Sequence, residues 1–230
     1  MKKTLTQPSE PSESAMLAKV DRRYFLRSAG VAAATGAFIL GACTEQDLAS
    51  DDTVDLGEGD FGILNYAYAL EQLEAAFYTQ VMMTPYLNMT DMEKWILTDI
   101  RDHEIVHREF FKTALGSKAI KGLTPNFSAI DFADRKSVLG AAKLFEDTGV
   151  AAYNGAGKLI TNAAYLTIAG QIVSVEARHA ALIADLISNG TFSDTTDANG
   201  LDSAMTPAQV LAAADPFIVT QINASNLPTS

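Results

Sequence analysis

Residues 102–111 read DHEIVHREFF, and residues 173–182 read VSVEARHAAL. Each stretch holds a Glu-x-x-His, Glu104 with His107 and Glu176 with His179, and together they use two of the chain's three histidines. On a helix, residues three apart share a face, so a carboxylate and an imidazole at this spacing can reach one common point. One reading is a solvated ion pair on a surface helix, worth a few tenths of a kcal/mol. The other is a pair of metal ligands aimed into a helix bundle. Neither stretch decides between them by itself.

The segments upstream echo each other too. EQLEAAFY (71–78) and EDTGVAAY (146–153) each place a tyrosine seven residues after a glutamate. Seven residues are close to two helical turns, so Tyr78 shares a face with Glu71, and Tyr153 with Glu146. Each lone glutamate precedes its Glu-x-x-His by a similar distance, 33 residues from Glu71 to Glu104 and 30 from Glu146 to Glu176. The chain therefore reads as a duplicated helical hairpin. Four carboxylates and two imidazoles form an oxygen and nitrogen donor set suited to iron or manganese. Four acids facing one another in an apolar bundle repel and are poorly solvated, and bound cations relieve both problems.

The hydrophobic period supplies the frame. Residues 61–83 have apolar side chains at three- and four-residue intervals and read as one helix. Thr90 with Glu93 forms a capping box for a second helix over 91–115, ending near Gly116. About twenty residues with two Gly and a Pro follow, much longer than an ordinary turn between antiparallel helices. A third helix is expected from about Asp134 to Thr161 and a fourth from about Ala163 to Ser188, stopped by Asn189-Gly190. The tail, 190–230, is polar with one short helix in TPAQVLAAA and an irregular end. No strand-like alternation is evident. The expected fold class is all-α, a four-helix bundle of two hairpins joined by a long crossover, plus a short C-terminal helix.

The first 42 residues are expected to be a signal segment rather than part of the fold. Arg22 and Arg23, followed by Phe25 and Leu26, resemble the twin-arginine export signal. The apolar run from Ser28 to Ala42 is too short to span a bilayer. Leu40-Gly41-Ala42-Cys43 resembles a lipobox, making Cys43 the expected lipidation site. It is the chain's one cysteine, so no intramolecular disulfide can form. Residues 43–60 are acidic and read as a flexible tether. Up to Ala42 there are six basic and three acidic residues, so removing that net +3 takes the chain from −11 to −14. So acidic a surface argues against nucleic acid and against charge-driven docking on anionic lipid. Membrane attachment would rest on the acyl chains at Cys43.

The duplicated Glu and Glu-x-x-His set over residues 61–189 resembles the ferritin-like superfamily. Combined with the twin-arginine leader, it suggests the bacterial ferritin-like-domain proteins of the desiccation-related group. The resemblance implies two metal ions per bundle, iron or manganese, held by Glu71, Glu104, His107, Glu146, Glu176 and His179, with Glu104 and Glu176 as candidates to bridge both. Glu74, one turn from Glu71, is an alternative or additional ligand, and Glu71 is preferred because it keeps register with Glu146. Tyr78 and Tyr153 are core residues or partners of the ligands. His103 lies about 100° around the helix from Glu104 and is read as a residue that packs beside the ligands or supports one of them from outside, rather than as a ligand. Arg101, Arg108 and Arg178 are candidates to orient carboxylates. The implied activities are an oxidase, peroxidase or catalase-like reaction on dioxygen or peroxide, or capture and oxidation of iron. The alternative is a stress protein of the envelope whose metals only staple the bundle. The expected location is the periplasm or cell envelope, with self-association into a homo-oligomer left open.

Overall fold

The computed structural model describes residues 53–229. The expected leader with Arg22 and Arg23, the lipidation site Cys43 and most of the tether lie outside the described residues. Four long helices, α1 (Gly59–Met83), α2 (Asp91–Leu115), α3 (Arg135–Gly157) and α4 (Ala163–Ile187), are followed by the short α5 (Pro207–Ala214). Packing runs mainly between α1 and α2 and between α3 and α4, giving the two expected hairpins. None of the described helices is long and apolar enough to cross a membrane.

Local chemistry sets the helix ends. At α2 the Thr90 hydroxyl accepts from the Glu93 N–H, while the Glu93 carboxylate accepts from the Thr90 N–H at 2.8 Å, so two otherwise orphaned donors are satisfied. Arg135, at the start of α3, adds Nε to the same carboxylate at 2.6 Å and gives Nη2 to the Leu186 carbonyl at the end of α4. One ion pair thus joins three helices at one end of the bundle. At the other end, Asp60 in the first turn of α1 accepts from the Thr161 and Asn162 N–H groups. Asn162 in turn caps α4 through the Ala164 N–H. This clamp explains why α3 stops at Gly157 rather than at the expected Thr161. The last residues of that pattern form a turn tied to Asp60.

Helix α1 is the core element, with 15 of its 25 residues buried. Its outer side is covered by the crossover, 116–134, and by the C-terminal segment. Asn65, buried on α1, donates to the Leu56 and Lys118 carbonyls and accepts from the Ile120 N–H. Gln72, two turns on, accepts from the Leu123 N–H. Further along, Asn126 N–H donates to the Phe217 carbonyl and Val219 N–H to that of Thr124. Phe127, Phe132 and Phe217 then close an aromatic cluster around Phe77 and Phe145. The crossover is long because it must wrap a helix as well as connect two.

Two expectations at the edges change. The last part of the tether, 53–60, is built into the fold. Val54–Asp55 (β1) pairs in parallel with Ile222–Asn223 (β2), and Val54 and Leu56 are buried. The end of the tail is ordered for the complementary reason, since Val210, Ala214 and Leu227 supply apolar cover to the core. Gly155 on α3 marks the closeness of this cover, because a Cβ there would meet the Met205 carbonyl oxygen at 1.8 Å. Only glycine admits the tail at that point.

Candidate metal centre

The six predicted side chains meet in the middle of the bundle. Glu71 comes from α1, Glu104 and His107 from α2, Glu146 from α3, and Glu176 and His179 from α4. All four carboxylates are essentially inaccessible, at 0–1% exposure. Their oxygens and the imidazole Nδ1 atoms form two overlapping groups, Glu71/Glu104/His107/Glu176 and Glu104/Glu146/Glu176/His179, with the ligand atoms of each within 4.8 Å of one another. Glu104 and Glu176 belong to both groups. Each histidine thus faces the lone glutamate of its own hairpin and the Glu-x-x-His glutamates of both.

The distances repeat across the duplication. His107 Nδ1 lies 2.8 Å from Glu176, 3.4 Å from Glu71 and 3.8 Å from Glu104. His179 Nδ1 lies 2.8 Å from Glu104, 3.5 Å from Glu146 and 3.7 Å from Glu176. The shortest contact of each imidazole therefore crosses to the opposite hairpin. None of these nitrogens makes a well-aligned hydrogen bond, nor do Glu71 Oε2, Glu146 Oε2 or any oxygen of Glu104 and Glu176. Eight buried polar atoms converge without proper partners. Orphaned groups of this kind are costly unless something fills the space between them, and a divalent cation suits lone pairs that point at a common spot. The donor set fits iron or manganese.

Electrostatics record the same crowding. Burial, the nearby Glu176 and Glu104 raise the Glu71 carboxyl to about 8, against the pull of His107. Burial likewise raises Glu146 to about 8, opposed by His179. Glu104 moves the other way, to about 2, because contacts with both imidazoles outweigh its burial. Both histidines are pushed up to about 12, burial being overcome by the surrounding carboxylates. A metal-free centre thus holds itself together with protons.

The tyrosines cross over. Tyr78 on α1 donates to Glu146 Oε1 on α3 at 2.5 Å, and Tyr153 on α3 donates to Glu71 Oε1 on α1. Each lone glutamate has one oxygen held by the other hairpin's tyrosine and one left facing the centre. The Glu-to-Tyr spacing correctly implies a shared face, but it carries no sign of this exchange.

Of the two expected roles for His103, packing or support of a ligand, the contacts match support. Its Nδ1 is 2.9 Å from His179 Nε2, the nitrogen facing away from the carboxylates, and the rings stack at 5.1 Å. His103 lies four residues before His107, and the matching position before His179 is Val175, which has no polar group to offer. The duplicated site is therefore asymmetric. Glu74 is buried but belongs to neither group of ligand atoms. It lies beside Gly149, where a Cβ would meet its Oε1 at 3.0 Å, and burial plus four glutamates raise its carboxyl well above the usual range. The three arginines do not orient the ligands. Arg101 pairs with Asp102, Arg108 with Glu109, and Arg178 is exposed, because their positions on α2 and α4 turn them outward.

A family model described as a ferritin-like domain matches residues 59–189, the four helices and their crossover. A comparison with curated proteins finds no match to the chain.

Proposed function

The chain belongs to the ferritin-like domain family, and from that premise we propose that it holds two iron or manganese ions and acts on dioxygen or peroxide, or oxidises iron. One observation carries this reading: two ligand groups share Glu104 and Glu176 and leave eight buried polar atoms without aligned partners. Glu71 and His107 would complete one position, and Glu146 and His179 the other. Glu104 and Glu176 would serve both. When bound, an iron or manganese pair would supply the redox chemistry, passing electrons between an oxidant and the reductant, which is ferrous iron or a second peroxide.

The chain's own residues do the rest. Tyr78 and Tyr153 fix one oxygen of each lone glutamate, leaving the second free for the centre. His103 sets the outer nitrogen of His179 and thereby which tautomer it can adopt. Burial keeps bulk water from the carboxylates. We place the protein in the cell envelope, exported by the twin-arginine route and anchored through Cys43, on the strength of the leader's motifs.

The reading is tested by metal analysis of protein purified from its native envelope, with turnover measured on the same sample. Below about half a metal per chain, the site assignment fails. Manganese with rapid peroxide loss selects a catalase-like reaction, and iron oxidised without other turnover selects capture. Full metal occupancy with neither activity supports the alternative, a stress protein of the envelope that uses metal only as a staple.

A further inference from the structure

The duplication that aligns Glu71 with Glu146 and Tyr78 with Tyr153 has a register of 75 residues, and it sets Glu74 opposite Gly149. The match fails there, and the failure is complementary. Glu74 reaches from α1 to α3, where a Cβ on Gly149 would meet its Oε1 at 3.0 Å. The missing side chain makes the room that the extra carboxylate occupies. Gly149 is one turn from Glu146, as Glu74 is from Glu71, so this fifth acid adjoins the centre. Each of the four converging glutamates helps to raise its carboxyl.

Glu74 also borders a cleft between α1, α3 and α5. The cleft has about 10 Å³, room for about one water. Its wall is otherwise hydrocarbon, from residues such as Leu73, Phe145 and Ala214, with Thr148 the one other polar side chain. Glu74 is 4% exposed, makes no hydrogen bond among the described residues, and neither of its oxygens is sealed from water. The oxygens that Glu71, Glu104, Glu146 and Glu176 turn to the centre are sealed.

An ion bound for that centre cannot carry its hydration shell through so small a cleft. Shedding water against hydrocarbon is prohibitive unless a charged oxygen replaces it, and Glu74 is the one side chain of the cleft able to do so. We propose that Glu74 is the port by which divalent cations enter and leave the centre, taking an ion from the cleft and passing it to Glu71 or Glu146. Its carboxyl gives up its proton as the ion arrives, as ligands of this kind do. Glu74 is a positioning residue and not a further ligand, since it belongs to neither group of converging atoms. The port rests on the metal reading above and adds a route to it.

The test follows manganese(II) uptake by the full chain, stripped of metal, through the fall in the free ion's electron paramagnetic resonance signal, and then release into excess EDTA. A port changes the barrier and not the equilibrium, so uptake and release should slow together. Glu74→Gln, which keeps the shape and loses the charge, should slow both about tenfold or more and reach the wild-type stoichiometry. Glu74→Asp, which keeps a carboxylate, should recover part of both rates. Unchanged rates in Glu74→Gln overturn the proposal and leave the histidine side, where His107 is 12% exposed, as the way in. Faster uptake, faster release or lost stoichiometry in that variant overturns it too. A wild-type chain that takes up neither manganese nor ferrous iron overturns the metal reading and the port together, whereas wild-type uptake with unchanged variant rates overturns the port alone.

Discussion

Tyr78 and Glu146 stand 68 residues apart and on different hairpins, yet the phenol donates to the carboxylate at 2.5 Å with both side chains fully buried. Tyr153 returns the bond to Glu71. The two hairpins are thus locked at their centre by an exchange of hydrogen bonds, in addition to apolar packing. Such a lock makes each tyrosine part of the candidate metal site's stability without placing it among the candidate ligands.

Tyr78→Phe should consequently leave metal stoichiometry intact while lowering the stability of the metal-free protein. The variant keeps the ring and abandons one oxygen of Glu146, a loss of about 1–3 kcal/mol for a buried acceptor. Tyr153→Phe should cost a similar amount, because the geometry repeats. Urea unfolding of chelator-treated protein measures both. If either variant lost its metal outright, the tyrosines would be closer to the chemistry than their position implies.

His103→Ala probes the broken symmetry. Its loss frees the outer nitrogen of His179, whereas His107 has only Val175 at the matching position. Removing such an outer hydrogen bond typically weakens a metal about 10- to 100-fold. The isotherm should therefore split, with one ion held less tightly and the other nearly unaffected. Equal weakening of both ions would mean that His103 acts through packing of the whole α2–α4 contact.

Metal uptake should release protons and tighten as pH rises. His107 and His179 are held protonated up to about 12, and Glu71 and Glu146 up to about 8. A ligand must shed its proton before it can bind. Below 8 all four groups have a proton to give up. Above 8 the glutamates are already ionised and the imidazoles remain. Release per pair of metals should fall from about four protons near pH 6.5 to about two near pH 9.5, as read by indicator dye during loading. Zero release at neutral pH would mean that the imidazoles are not ligands.

The sequence carried the helices and the six converging side chains because both rest on short-range periodicity. Thr90 with Glu93 announces the start of α2 three residues apart, and Glu104 with His107 declares a shared face at the same distance. What lay out of reach depends on contacts distant in the chain. The end of α3 is set by Asp60, about a hundred residues earlier, and the order in 53–58 by a strand contact with residues 222–223. The tyrosine exchange and the His103–His179 contact belong to the same class. A spacing shows which residues point the same way, but not what waits opposite them.

Glu93 allows an acid-stability test that leaves the metal centre untouched. Its carboxylate is held at about 2, because the Thr90 N–H and hydroxyl and the Arg135 guanidinium together outweigh its burial. A group depressed on folding contributes fully above its unfolded value of 4.5, and the contribution fades as pH falls toward the folded value. Glu93→Gln, close in shape to the neutral acid, should cost about 1–2 kcal/mol at pH 7. The half-exposed Arg135 limits the ion pair's share. Between pH 5 and 2 the gap to wild type should close, reaching about half near pH 3. Urea midpoints of the two proteins across that range, measured without metal, decide the matter. A gap that stayed constant with pH would assign Glu93's contribution to packing and capping shape alone, leaving Arg135 with no electrostatic role in joining the three helix ends.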